Sequence, residues 1–369
     1  MRYTREDGCL AWLTYGEFQP ETMAAMLRQH GCAEAIYDRF RRMGSAALKP
    51  FANQSQVELL AAQAGPDAMH EMMLTLQKWE IGLLRRDDAD YPDALQHIPD
   101  PPYLLFYRGN PACLVGRCVA MIGSRKASVA GLRAARDIAR ELSRNGVRVI
   151  SGMAMGIDTA SLEGALEGGS PAVGVLGCGL DVDYPAENQQ LKERIIAAGG
   201  LLLSEYPPGV KGMPWHFPVR NRIMSGLSSA VLMMEGRIRS GSMTTVQHAL
   251  DQGREVFAYP GAPGTEWAEG AHQLLREGAN YFTSAADVLE DLGWRAEKPA
   301  RASAPARAEL PPLTEEQKKV YGLLTRGELS FDELAAASGL SSPSLSVTLT
   351  MLQVMGLIEA LPGKVYKTA

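Results

Sequence analysis

The sequence predicts an α/β protein. Its core is a doubly wound parallel sheet, with a small helical domain before it and a compact helix-plus-hairpin unit after it. Three observations carry this. From Cys118 the chain repeats a cycle of short apolar strand, Gly-rich loop and helix. Ahead of that region the apolar residues recur at helical spacing only. Beyond Pro312, capping signals and turn residues mark three helices and a hairpin.

The helical start comes first. Leu10, Leu13, Met23, Met26, Leu27, Ile36 and Phe40 recur at helix-like intervals without strand-like alternation, which predicts a helical domain over residues 1–82. Between Arg85 and Gly109 the runs Asp90-Tyr91-Pro92 and Asp100-Pro101-Pro102-Tyr103 forbid a helix. Leu104-Leu105-Phe106-Tyr107 then reads as an edge strand leading into the core domain, 83–293.

Within the core, Val119-Ala120-Met121-Ile122 is a strand and Gly123-Ser124-Arg125 its loop. A helix follows from about Val129 to Arg144, stopped by Asn145-Gly146. Further strands are predicted at Val147–Ile150, Val173–Leu176, Leu201–Leu203, Ala230–Met234 and Glu255–Ala258. Strands alternating with helices imply a parallel, Rossmann-like sheet. Such sheets bind ligands beyond the carboxyl ends of their strands, where these loops lie.

Residues 294–311 are rich in Ala, Pro and Arg and read as a linker. In 312–369 a helix over about Glu315–Thr325 is followed by Ser330-Phe331-Asp332-Glu333, a capping box. Gly339 makes a turn, Ser342-Pro343 opens a third helix, and a hairpin turns at Pro362-Gly363. That order is a winged-helix pattern.

Composition narrows the chemistry. The 369 residues are 46% hydrophobic and 21% charged, with a formal net charge of −5, so a polyanion must be met by a local basic patch. No apolar run is long enough for a membrane span, and the N-terminus has no signal-peptide core. Cys9, Cys32, Cys113, Cys118 and Cys178 are odd in number with no CxxC spacing, which favours a reducing cytosol and no disulfide framework. Neither a metal nor a cofactor is expected.

The residues suited to an anion lie in the strand-end loops. Gly123, Ser124 and Arg125 combine close backbone approach with a forked charge. Ser151, Gly152 and Gly156 occupy the next such loop, and Asp158 suits a helix cap there. Arg220, Asn221 and Arg222 precede a strand, and Arg239, Ser240, Gly241 and Ser242 follow it. Five arginines (220, 222, 237, 239 and 254) face only Glu235 and Asp251 in that stretch, a local reversal of the chain's charge. There is no GxGxxG, Walker A or GxSxG motif, and Cys178 reads as a buried small residue. No catalytic residue is assigned. On pattern alone the site is a generic anion site, tilted by the arginines towards a polyanion.

Taken in series, these loops resemble the DNA-processing protein A family (DprA, also called Smf). The resemblance rests on Gly123-Ser124-Arg125, the run from Ser151 to Asp158, the run from Gly177 to Pro185, and Ser204-Glu205-Tyr206-Pro207-Pro208-Gly209. It continues through Phe217–Ser228 and Arg239–Ser242. It implies a sterile-alpha-motif-like helical domain in front and a winged-helix domain behind. It implies a cytoplasmic, non-enzymatic protein that binds single-stranded DNA in natural transformation and recombination. Such a protein protects incoming strands, forms a homodimer and helps load the RecA recombinase. Arg125, Arg220, Arg222 and Arg239 match the family's DNA-contacting or pocket-lining basic positions. There are departures. Ala186 stands where some relatives carry lysine, and Gly16–Pro20 lacks a helix-hairpin-helix turn. The helix from Ser342 to Met355 has no Lys or Arg, so the winged helix reads as a protein-contact or regulatory module. Pro260-Gly261-Ala262-Pro263-Gly264-Thr265 has a fainter likeness to nucleotide phosphoribohydrolases of the cytokinin-activating LOG family, the enzymatic alternative.

Overall fold

The computed structural model of the chain describes residues 3–65, 67–294, 313–325, 327–355, 357–361 and 365–368. Internal contacts divide it into two compact units, Met1–Glu297 and Lys298–Ala369. Most of the linker predicted over 294–311 lies outside the described residues.

The first unit opens with helices α1 (Arg5–Thr14), α2 (Pro20–His30), α3 (Ala33–Met43), α4 (Gln54–Ala62) and α5 (Ala68–Lys78). β1 (Gly82–Arg85), α6 (Asp93–Gln96) and β2 (Leu104–Gly109) follow. Then comes the alternating series: β3 (Cys118–Ile122), α7 (Val129–Arg144), β4 (Arg148–Ser151), α8 (Ile157–Gly168), β5 (Val173–Leu176), α9 (Gln189–Ala197) and β6 (Leu201–Ser204). It continues with α10 (His216–Gly226), β7 (Ala230–Met233), α11 (Gly241–Asp251), β8 (Glu255–Ala258), α12 (Glu269–Arg276), β9 (Asn280–Tyr281) and α13 (Ala285–Asp291).

These strands form one sheet in the order β1-β2-β6-β5-β4-β3-β7-β8-β9. From β6 to β9 the pairing is parallel, while β1 and β2 add antiparallel strands at one side. The expected edge strand at Leu104–Tyr107 is therefore interior, between β1 and β6. The edge is β1, which is followed by the Asp- and Pro-rich stretch instead of the Gly-rich loop and helix that mark the core strands. The proline-rich stretch also contains one helical turn, α6, starting just after Pro92, where a missing N–H costs nothing.

Both faces of the sheet are covered, so its strands are apolar throughout. Alternate residues feed two cores. Val119, Met121, Val149 and Leu232 face the side covered by α7, α8, α9 and α13. Ala120, Ile122, Ile150 and Met233 face α10, α11 and α12. The first of these cores continues into the N-terminal helices through Trp12, Leu13, Met26 and Phe40.

The second unit contains α14 (Glu315–Leu324), β10 (Leu329–Ser330), α15 (Phe331–Ser338), α16 (Ser342–Val354), β11 (Ile358–Leu361) and β12 (Val365–Thr368). The Ser330–Glu333 capping box forms as the spacing predicts, and Gly339 ends α15 in the left-handed region. The three strands pair antiparallel in the order β10-β12-β11. Val347 and Met351 stand exposed along α16.

Phe106 is fully buried in β2, between the edge strand and the parallel sheet. Phe106→Ala is expected to lower the unfolding free energy by ~3–5 kcal/mol. Urea unfolding checks this, and a loss within error of zero would show that β2 does not anchor the core.

Candidate functional site

The winding of the sheet changes sense at β3. The next strands in sequence, β4 to β6, lie on one side of it, and β7 to β9 on the other. Loops leaving β3 and β7 therefore part company, which opens a crevice at the carboxyl ends of the strands. A cavity of about 270 Å³ occupies it. It brings together eight of the predicted residues: Gly123, Ser124, Arg125, Arg220, Asn221, Ser240, Gly241 and Ser242.

The Gly-Ser-Arg loop is packed from beneath. A Cβ on Gly123 would lie 2.6 Å from Ile157 Cγ1 and 2.8 Å from the Glu235 carbonyl oxygen. Gly156 has φ +83°, and a Cβ there would lie 2.3 Å from the Ser124 oxygen. Only glycine allows the start of α8 to press so closely on this loop. The Ser124 N–H donates to Glu235 O at 2.7 Å. The Glu235 carboxylate is buried and accepts from the Ser128 N–H (2.8 Å) and Oγ (2.6 Å), while Ser128 caps α7 by accepting from the Gly131 N–H. With its backbone fixed, Arg125 extends into solvent. Its guanidinium lies 5.4 Å from the Phe217 ring centroid, and it has no carboxylate partner among the described residues.

The loop after β4 is structural. Ser151 Oγ donates to Met121 O, tying β4 to β3. The N–H groups of Gly152 and Ala154 donate to Asp158 Oδ2 at 3.1 and 3.2 Å. Asp158 thus gathers the loop ahead of its helix. Burial pushes its carboxyl up, opposed by the nearby Arg220 charge and these N–H bonds. Arg220 is 4% exposed. Its Nη1 donates to Gly152 O (2.7 Å) and to Val175 O, joining the ends of β4 and β5. It walls the cavity rather than reaching out of it.

α10 and α11 complete the site. Asn221 Nδ2 donates to Gly241 O (3.2 Å) and Thr244 Oγ1 (2.8 Å), and Ser242 Oγ donates to Gly123 O (2.9 Å). Ser240 occupies the N-cap position of α11 without making a capping bond. Its enclosed Oγ and the N–H groups of Gly241 and Ser242 have no partner among the described residues. A helix N-terminus left open in this way attracts anions. Arg239, just before it, is exposed and has no carboxylate partner among the described residues.

Arg222 is a correction. The sequence placed it with the anion-binding residues, but its guanidinium points away from the cavity. It donates to both Glu205 oxygens (2.9 and 2.8 Å) and from Nε to Asp100 (3.2 Å), lining a separate cavity of about 220 Å³. Burial disfavours its charge, and Glu205 and Asp100 more than offset that. Cys178 is buried, and desolvation pushes its thiol up, away from a reactive thiolate.

Sequence reasoning missed the aromatic rim. Tyr184 and Phe217 stand with ring centroids 5.4 Å apart, while the half-exposed Trp215 lines the separate cavity beside Arg222. An ideal Cβ on Gly212 would be 3.1 Å from Phe217 Cζ, which places exposed Lys211 along this rim. The available signal was the Trp215-His216-Phe217 run directly ahead of the arginines.

The fold is of the Rossmann-like class, and its polar switch-point cavity has the geometry of an anion site. The sequence matches the family described as DNA recombination-mediator protein A over residues 82–293, and the DprA winged helix domain over residues 304–364. The chain belongs to the DNA recombination-mediator protein A family. It is 43% identical over 204 residues to the DNA processing protein DprA of Streptococcus pneumoniae (strain ATCC BAA-255 / R6), covering 55% of this chain and 72% of that one. It is 36% identical over 287 residues to Protein Smf of Escherichia coli (strain K12), covering 76% of each. The X-ray structure of the Streptococcus pneumoniae protein superposes with a TM-score of 0.65 at 32% identity, over 79% of this chain and 99% of that one. A structure describing the single-stranded DNA binding mode of DNA processing protein A from Helicobacter pylori gives 0.53 at 29% identity, over 58% of this chain and 97% of that one.

Glu235→Gln removes the charged acceptor that holds the Ser128 cap and keeps the backbone carbonyl that holds Ser124. The expected cost is ~1–3 kcal/mol of stability, read by urea unfolding, with faster amide exchange in the first turn of α7. Unaltered exchange there would contradict this role.

Proposed function

We propose that this protein binds single-stranded DNA at the switch-point cavity and acts as a mediator of recombination in natural transformation. It holds and protects the strand without chemistry, works as a cytoplasmic homodimer, and passes the strand to the RecA recombinase. Family membership supports the handling of DNA, and the structural relative from Helicobacter pylori, described as binding single-stranded DNA, supports the strandedness. The partners and the dimer are carried over from the family resemblance.

One observation carries the assignment to this site. In a chain of net charge −5, Arg125 lines a cavity that also receives the open N-terminus of α11, exposed Arg239 immediately precedes that N-terminus, and neither has a carboxylate partner among the described residues. Cations without partners are the ones available to phosphates. The rim rings of Tyr184 and Phe217 offer faces on which bases stack whatever their sequence, as non-specific single-strand binders require. Gly123, Ser124, Asn221, Ser240, Gly241 and Ser242 shape the phosphate cradle. Ser151, Gly152, Gly156 and Arg220 hold its loops. Exposed Val347 and Met351 on uncharged α16 suit a protein contact better than a DNA groove.

Binding of labelled oligo-dT across a salt series tests the reading. Arg125→Ala and Arg239→Ala should each weaken binding and lower the steepness of log K against log salt by ~0.7, the value for one phosphate contact on a single strand. Unchanged affinity and slope in both variants would refute the site. Arg222→Ala should leave the slope unaltered and instead destabilise the fold by ~1–3 kcal/mol, since it leaves the half-buried Glu205 carboxylate without its charged donor.

A further inference from the structure

Residues before 82 fall outside both family matches. We infer that they brace the strand site, with Glu17 as a positioning residue that acts through His216 on α10. This rests on the reading of the switch-point cavity as the DNA site.

The geometry runs from the turn between α1 and α2 to the rim of the cavity. Glu17 sits in that turn with φ 45°, a left-handed conformation that non-glycine residues adopt only where the surroundings hold them. Its Oε1 is 3.1 Å from His216 Nε2, and its Oε2 accepts from Trp215 Nε1 at 3.4 Å. His216 is 1% exposed and is the first residue of α10. Its Nδ1 lies 3.2 Å from Gly177 O, at the end of β5, and its ring stacks on Tyr206 with centroids 3.9 Å apart. Two residues before Glu17, Tyr15 Oη donates to Pro208 O at 2.6 Å. A single turn of the helical segment therefore grips the start of α10 and the loop that leads to Lys211.

α10 needs this help. Its N-cap position, Trp215, makes no side-chain capping bond, and its first turn contains no acidic residue. Glu17 supplies from a distant part of the chain the negative charge that a helix N-terminus ordinarily takes from its own first turn. The hydrogen bond with His216 holds the Glu17 carboxyl below the usual glutamate range against the opposing effect of burial. α10 in turn carries Phe217, under the Arg125 guanidinium, and Asn221, which fixes the start of α11. Glu17 itself does not line the 270 Å³ cavity, so any effect it has on DNA passes through the helix.

The test uses the full chain, labelled oligo-dT and a salt series. Glu17→Ala should weaken binding roughly 2- to 5-fold, the worth of a charge at a helix N-terminus. Its salt slope should match the unaltered protein, because no phosphate contact is lost. Glu17→Gln, which keeps an acceptor for His216, should recover part of the affinity. Tyr15→Phe removes the second tether without altering charge and should weaken binding in the same sense, also at constant slope. Arg5→Ala, which breaks the Arg5–Asp38 pair elsewhere on the helical segment, should bind normally. Normal affinity in both Glu17→Ala and Tyr15→Phe, with the unaltered protein binding tightly, would overturn the brace and leave the DNA site standing. Failure of the unaltered protein to bind would overturn both.

Discussion

The site depends on a buried cation. Arg220 has almost no contact with water, and its guanidinium bonds the carbonyls at the ends of β4 and β5. An unpaired charge there would be prohibitive, so its neighbourhood is built around it. Gly152 leaves room for the guanidinium, since a Cβ at that position would lie 2.6 Å from Nη2. Asp158 balances the charge and gathers the same loop through two N–H groups. Internal electrostatics thus fix the walls of the cavity before any ligand arrives. The charges left over for a ligand are at the rim.

That division explains why a chain of net negative charge can hold a polyanion. Two of the four arginines in the family-like motifs are consumed by the fold, Arg220 by backbone carbonyls and Arg222 by Glu205 and Asp100. The other two, Arg125 and Arg239, stand in solvent beside the open end of α11. In the proposed reading, phosphates meet few contacts, each strengthened by its place near a helix N-terminus, and the aromatic rim contributes stacking that salt does not screen.

Much of this was legible in the sequence, because the βα cycle is local. Gly123-Ser124-Arg125 sits where a strand-end loop should, α7 spans the predicted residues, and Ser330 and Glu333 cap α15 at their expected spacing. What could not be read depended on partners far away in the chain. Nothing near Arg222 announces Asp100, which is 122 residues away, and burial of Arg220 follows from the packing of α10 on the sheet. Glu235 lies among ordinary strand-end residues, yet it holds a cap 107 positions earlier. The strand β9 has two residues, too few for any period to show, and β1 lacks the Gly-rich loop and helix that follow the core strands. The link from Glu17 to His216 crosses 199 residues and joins segments that read as separate domains.

The central claim is that the strand lies across the Gly-Ser-Arg loop and the start of α11. Amide hydrogen exchange with and without saturating oligo-dT tests it most directly, since it reports each segment in the intact chain. The account predicts slowed exchange at 123–126 and 240–244, with α16 unchanged. Protection confined to α16, with both loops exchanging as in the free protein, would contradict it.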